Sequence, residues 1–345
     1  MSKIAIFSDL HLGVHQNSVF WHNISLEWCD WFKNNITERG IKDVIFCGDV
    51  HHYRDEINLQ TLAVSNKFFS NLENFNVYAI TGNHDCYYKD TSEINSLAVL
   101  KGRKNIHVFD TCTTIDVQDR RFTFCPWGTK LQDIPNSDVI FGHFELRNFK
   151  MNAFKVCDSG DSAELLTSKA PLIFSGHFHL RDEKKFTNST IVYVGNPFQM
   201  DFGDAYQHKG YYILDTDNLS YEFVENPNTP QHIKVYLSKL ITLKDIDKDF
   251  NSFIPNNIIK LVIDKNISSN HLDVLIAKMN QYKPNDLHVD YDVNYNKIKV
   301  GDEASIDLSG VDIVKAIEDF VAILDINNKK EVVDYTISLY NRSKL

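Results

Sequence analysis

The chain has 345 residues, 43% of them hydrophobic and 24% charged, with a formal net charge of −10. That balance excludes a disordered chain and a membrane-spanning one, and the length suits one large domain plus a smaller one. An acidic chain also lacks the basic footprint with which proteins grip long nucleic acid unaided. Met1-Ser-Lys leads straight into an apolar run at 4–7, which leaves no room for a signal peptide, so a cytoplasmic location without a membrane partner is expected. Six cysteines at 29, 47, 86, 112, 125 and 157 form no Cys-x-x-Cys pair. They are read as reduced, packed thiols rather than a zinc knuckle.

The first half repeats one local theme. Apolar runs at 4–7, 44–47, 77–81, 139–141 and 172–175 have buried-strand length. Between the first three, residues 21–38 and 58–72 carry apolar side chains at helical spacing. Strands alternating with helices predict an α/β fold with a mainly parallel, doubly covered sheet. From 191 the texture turns β-rich, with runs at 191–194, 211–214 and 221–224, and a second sheet packed on the first is expected. The Asn-Pro-Asn-Thr-Pro stretch at 226–230 is a linker. Beyond it, 258–263, a helix over 270–282 and 287–291 predict a small β-α-β unit. Val311, Val314, Ile317, Val321 and Leu324 then follow 3-3-4-3 spacing, and a second helix is predicted over 330–341. The expected domains are 1–225, 231–300 and a helical segment at 310–345.

Each of the five early runs ends in potential metal ligands, four of them after a glycine. They read Ser8-Asp9-Leu-His11, Gly48-Asp49, Gly82-Asn83-His84-Asp85, Gly142-His143 and Gly176-His177-Phe-His179. In parallel α/β sheets ligands bind beyond the carboxyl ends of the strands, so residues far apart in sequence can converge there. Asp9 and His11, like His177 and His179, are two apart and would point the same way in extended chain. Carboxylates, imidazoles and one amide oxygen make a mixed donor set for Mn²⁺, Fe²⁺ or Zn²⁺. Seven donors exceed what one ion needs, which implies two.

These motifs, in this order over residues 4–180, resemble the calcineurin-like metallophosphoesterases, a two-sheet sandwich flanked by helices. By that resemblance Asp9, His11, Asp49 and His179 hold one ion. Asp49, Asn83, His143 and His177 hold the other, with Asp49 bridging. His84 resembles the family's catalytic histidine, and Asp85 is expected to orient it by a hydrogen bond.

The second motif reads Gly48-Asp-Val-His-His-Tyr-Arg-Asp55, unlike the phosphoprotein phosphatase pattern. His52, three residues after Asp49, resembles a second active-site histidine of SbcD-type DNA double-strand-break repair nucleases, with His51 as an alternative occupant. Gly195-Asn-Pro-Phe-Gln199, Phe202-Gly-Asp and Lys209-Gly-Tyr also look SbcD-like. The small α+β unit then corresponds to a capping domain, and the helical tail to a segment that docks on an SbcC-type coiled-coil ATPase. The layout and Gly142-His-Phe-Glu-Leu146 are most similar to small subunits of T-even-phage-type recombination endonucleases, which would mean host-cell cytoplasm.

The resemblance implies a Mn²⁺-dependent exonuclease, with endonuclease activity open, acting on DNA ends as a homodimer with its ATPase partner. No Gly-x-x-x-x-Gly-Lys-[Ser/Thr] loop is present, so ATP hydrolysis falls to the partner. Arg147, Lys150 and Lys155 are candidate phosphate contacts, ahead of Lys101/Arg103/Lys104, Arg120/Arg121 and Lys184/Lys185. The rival reading is a phosphodiesterase or phosphatase acting on a small molecule or phosphoprotein.

Overall fold

The computed structural model describes residues 2–89, 91–152, 155–292, 321 and 329–342. Strand β1 (Lys3–Phe7) shows the logic of the fold: Ile4 and Ile6 face one layer, Ala5 and Phe7 the other, and all four are buried. Helices α1 (Val19–Glu38) and α2 (Leu59–Asn71) connect β1 to β2 (Asp43–Phe46) and β2 to β3 (Asn76–Ile80), and β4 (Ile106–Phe109) follows. These four strands pair in parallel. Asn58 caps α2, its Oδ1 accepting from the Gln60 amide at 2.8 Å.

Next come β5 (Thr113–Val117), β6 (Arg120–Cys125), β7 (Val139–His143), β8 (Leu172–Gly176), β9 (Asp182–Lys185) and β10 (Thr190–Tyr193). They build a second sheet in the order β5-β6-β7-β8-β10-β9. The chain then returns to the first sheet: β11 (Gly210–Asp215) pairs antiparallel with β1, and β12 (Tyr221–Glu225) with β11. The apolar runs predict β7 and β8 beside β1–β3 and a second sheet only from 191; the structure moves both strands to the second sheet. Both sheets are buried on both faces at their centres, so their strands read as the same uninterrupted apolar runs, and partners cannot be told apart by composition.

The two sheets face each other through Ile4, Ile6, Ile45 and Ile80 on one side and Phe122, Phe124, Phe141 and Phe174 on the other. On the outer face of the first sheet, Phe7 packs against Trp28 and Phe46 with ring centroids 5.0 and 4.8 Å apart. Ile140, Ile173 and Tyr193 pack under Phe144 and Phe149 on the outer face of the second. The result is the layered α/β sandwich expected, and it brings the carboxyl ends of β1, β2, β3, β7 and β8 to one edge.

A third sheet, all parallel, comprises β13 (His232–Tyr236), β14 (Ile258–Ile263) and β15 (Asp286–Tyr291), with α3 (Ile246–Phe253) and α4 (Ser269–Asn280). Its core is Leu237, Phe250, Ile259, Leu261 and Met279. Helix α5 (Lys329–Arg342) falls where 330–341 is predicted. The helix expected over 311–324 lies outside the described residues except for Val321, which is buried. Among the described residues no helix is long and apolar enough to cross a membrane.

Candidate metal centre

Beyond the ends of β1 and β2 the chain stays paired: the Asp9 amide donates to the Gly48 carbonyl at 2.9 Å and the His11 amide to Asp49 at 3.0 Å. Asp9, His11, Asp49 and His177 nevertheless have φ of 55, 46, 62 and 88°. The extended geometry expected of Asp9 and His11 is therefore absent, and each of these residues turns in left-handed backbone that non-glycine residues rarely occupy. Gly48 (φ 97°) shows why glycine precedes the ligand: a Cβ there would meet His143 Nδ1 at 2.5 Å and the Gly82 backbone at 2.9 Å.

All seven predicted ligand residues converge. Nε2 of His11 and Nε2 of His179 are 2.9 Å apart. Asn83 Oδ1 lies 2.9 Å from His143 Nε2 and 2.8 Å from His177 Nδ1. Asp49 Oδ2 stands between the two groups, 3.5 Å from His11 Nε2 and 3.4 Å from His143 Nε2. Donors about 2.1 Å from one ion and at right angles around it stand about 3.0 Å apart, so these separations match edges of a coordination polyhedron. Asp9, His11 and His179 also cluster as a potential ion site, as do Asp9, Asp49 and His143. The donor set is the N/O mixture suited to divalent ions, and it fits two of them sharing Asp49.

The electrostatics agree with that fit. Burial holds His11 well below its ordinary pKa and His177 at about 3, so both rings are neutral at neutral pH, the form in which an imidazole can bind a metal. His143 differs. Burial would lower it, but the Asp49 carboxylate raises it to about 9. Burial likewise pushes Asp49 up, yet His143, followed by His11 and His84, draws it well below the usual carboxylate range. Asp49 and His143 thus favour each other's charged forms, and a cation beside Asp49 would take over the part of the charged ring. His143 Nδ1 donates to the Cys47 carbonyl at 2.7 Å, which points Nε2 at the cluster.

His84 is half-buried on the open side. Its amide donates to Asp49 Oδ1 at 2.7 Å and its Nδ1 to the His52 carbonyl at 2.7 Å, and among the described residues Nε2 makes no hydrogen bond. The expected Asp85–His84 contact is corrected by the structure. The Asp85 carboxylate turns inward and accepts from the amides of Gly82, Asp49, Val50 and His51 at 2.8–3.1 Å. Four converging N–H groups outbid one imidazole, and Asp85 pins the Asp49 loop to the Asn83 loop. The doubled histidine is also resolved. His51 is buried against Ser96 and Ser65, whereas the His52 ring stacks on His84 at 5.5 Å and 22° and reaches His11 at 3.4 Å.

Several residues beside the site carry no motif of their own. Buried Lys209 donates to the His179 carbonyl at 2.7 Å, to Asp204 at 2.8 Å and to Asn196 Oδ1. Its only signal in the sequence is the Lys-Gly-Tyr stretch. Glu145 Oε2 lies 3.7 Å from His177 Nε2, behind the nitrogen that faces Asn83. Among the basic candidates, Arg120 donates to the carbonyls of Thr216 and Asp217, Arg147 to Gly160 and Lys184 to Asn148, and Lys101 pairs with Asp110. These are structural ties.

Residues 2–181 match the calcineurin-like phosphoesterase family, and the chain belongs to that family of metal-dependent phosphoester hydrolases. Among individual proteins it is similar to exonuclease subunit 1 of Enterobacteria phage T4, 26% identical over 276 residues that cover 73% of this chain and 79% of that one. Two solved structures are also similar. One is an archaeal phosphodiesterase (17% identity, 65% of this chain and 99% of that one, TM-score 0.38). The other is the phosphopantetheinyl hydrolase of Mycobacterium tuberculosis (13%, 57% and 90%, TM-score 0.35).

Proposed function

We propose that this chain is a DNA nuclease that trims DNA ends in recombination and double-strand-break repair, working as the nuclease subunit beside an SbcC-type coiled-coil ATPase. The observation that carries this reading is the likeness to a phage exonuclease subunit over 276 residues, well beyond the phosphoesterase segment at 2–181. His52, stacked on His84 at the open rim, supports it locally.

Asp9, His11, Asp49 and His179 would hold one ion, and Asp49, Asn83, His143 and His177 the other, with Mn²⁺ as the assigned metal. Such a pair supplies positive charge against the phosphate and makes water nucleophilic near neutral pH. The protein's own part is positional. Water attacks phosphorus and gives up one proton to solvent, the bond to the leaving sugar oxygen breaks, and that oxygen takes the Nε2 proton of a doubly protonated His84 ring, whose Nδ1–H stays on the His52 carbonyl. His52 holds the strand beside His84, and Asp85 keeps the two loops in register. Two copies would act together as a homodimer, and the partner would supply the basic surface that a chain of net charge −10 lacks.

The test is incubation with Mn²⁺ and end-labelled duplex and single-stranded DNA, with and without the ATPase and ATP, beside bis-p-nitrophenyl phosphate. Cleavage of DNA is expected. Hydrolysis of the small ester with no DNA cleavage, even with the partner present, would overturn the nuclease reading in favour of a small-molecule or phosphoprotein substrate.

A further inference from the structure

The loop after β6 places an aromatic side chain against the metal centre that no motif in the sequence announces. The Trp127 ring centroid lies 5.1 Å from that of His177 and 6.1 Å from that of His143. The indole is clamped at both ends: its backbone amide donates to Thr81 at 2.9 Å and its Nε1 to the Lys89 carbonyl at 2.9 Å. It is only half-buried all the same, and it forms one wall of a cleft of 390 Å³ that opens on His143. That volume falls within the range of small-ligand pockets, about 300–1,000 Å³. Lys89 and Lys130 flank the cleft, both exposed, and among the described residues neither is in an ion pair. Glu145 and Asp161 line the cleft as well.

We propose that Trp127 is the stacking platform for an unpaired nucleobase, the one carried by the nucleotide next to the scissile phosphate. The inference rests on the nuclease reading and deepens it. A flat, rigid indole within one ring's reach of two ligand histidines stands where a neighbouring base must fall once its phosphate occupies the metal centre. Stacking suits any base, because each has a π-face, and it requires that base to leave the duplex stack. The charges set the orientation. Glu145 and Asp161 repel phosphate, so the base enters between them and Trp127 while the strand's phosphates run past Lys89 and Lys130.

The test uses the full chain with Mn²⁺ and single-stranded oligonucleotides, either intact or carrying abasic sugars at the two terminal positions of each end. Trp127→Ala should raise KM for the intact strand about tenfold, with kcat changing less, and Trp127→Phe should recover most of the loss. In the unaltered protein the abasic ends should raise KM by a similar factor, and Trp127→Ala should add nothing on the abasic strand. Quenching of tryptophan fluorescence by a dinucleotide should disappear in Trp127→Phe. Equal effects of Trp127→Ala on intact and abasic strands, or no effect on a strand the unaltered protein cuts, would overturn the platform and leave the nuclease reading standing. A protein that cuts no DNA at all would remove both.

Discussion

The sandwich and the unit at 232–291 are built from the same parallel strands and covering helices, yet they bury different things. In the sandwich the strand ends converge on buried Asp9, His11, Asp49 and His143 beside an extensive apolar core, and four site residues hold left-handed backbone. In the smaller unit β14 alone is largely buried, while β15 is exposed at five of its six positions and half-buried at the sixth. A two-sided core with long apolar runs can hold strained, desolvated polar groups in place; a three-stranded sheet with an exposed edge strand offers them far less cover. Chemistry therefore sits where the packing is deepest, and the smaller unit offers surface.

The sharpest way to break that contrast is at His84. His84→Gln should lower kcat by about 10²–10⁴-fold while Mn²⁺ affinity, read by calorimetry, stays within error. Unchanged turnover would separate the histidine from the chemistry. Next is the buried tie behind His179. Lys209→Met leaves Asp204 charged and unpaired in the interior and should cost about 3–5 kcal/mol in urea unfolding. A loss under 1 kcal/mol would mean that Asp204 has found water.

The junction between the two regions has its own signature. His232 is buried, stacked on Trp21 at 5.8 Å, its Nδ1 without a hydrogen-bond partner among the described residues, and burial pushes its pKa from 6.5 down to about 4. The neutral ring is thus the form that folding favours. Its contribution is complete above pH about 6.5 and is lost as pH falls towards about 4, a difference of about 3 kcal/mol. His232→Phe should flatten the urea midpoint between pH 7 and 4.5; an undiminished acid slope would assign the effect to other groups.

Asp85→Asn replaces an acceptor of four amides with a group that must turn a donor towards some of them. A 10–100-fold loss of Mn²⁺ affinity is expected, and full affinity would show that the two loops hold their register without the carboxylate. The smallest effects belong to β15. Val289→Ser and Tyr291→Ser, both at exposed positions, should each move stability by no more than about 0.5 kcal/mol by calorimetry. A larger loss at Tyr291 would reveal a cover over that strand and erase the contrast between the regions.

The sequence by itself determined the short-range features of this protein. Apolar runs at helical or strand length located α1, α2, α4 and α5 and the strands that end in ligands, because burial leaves a periodic record in composition. The seven candidate ligands that the fold brings together were legible for a similar reason: glycine before a donor and donors beyond an apolar run are local requirements of a strand-end site. What only the tertiary structure decided was partnership. β7 and β8 belong to the second sheet, Asp85 serves backbone amides instead of His84, and His52 instead of His51 turns to the open side. Lys209 reaches His179 from 30 residues away, and Trp127 stands beside His177. Each depends on which surfaces meet across the fold, and contacts made at long sequence separation leave no periodicity for one chain to display.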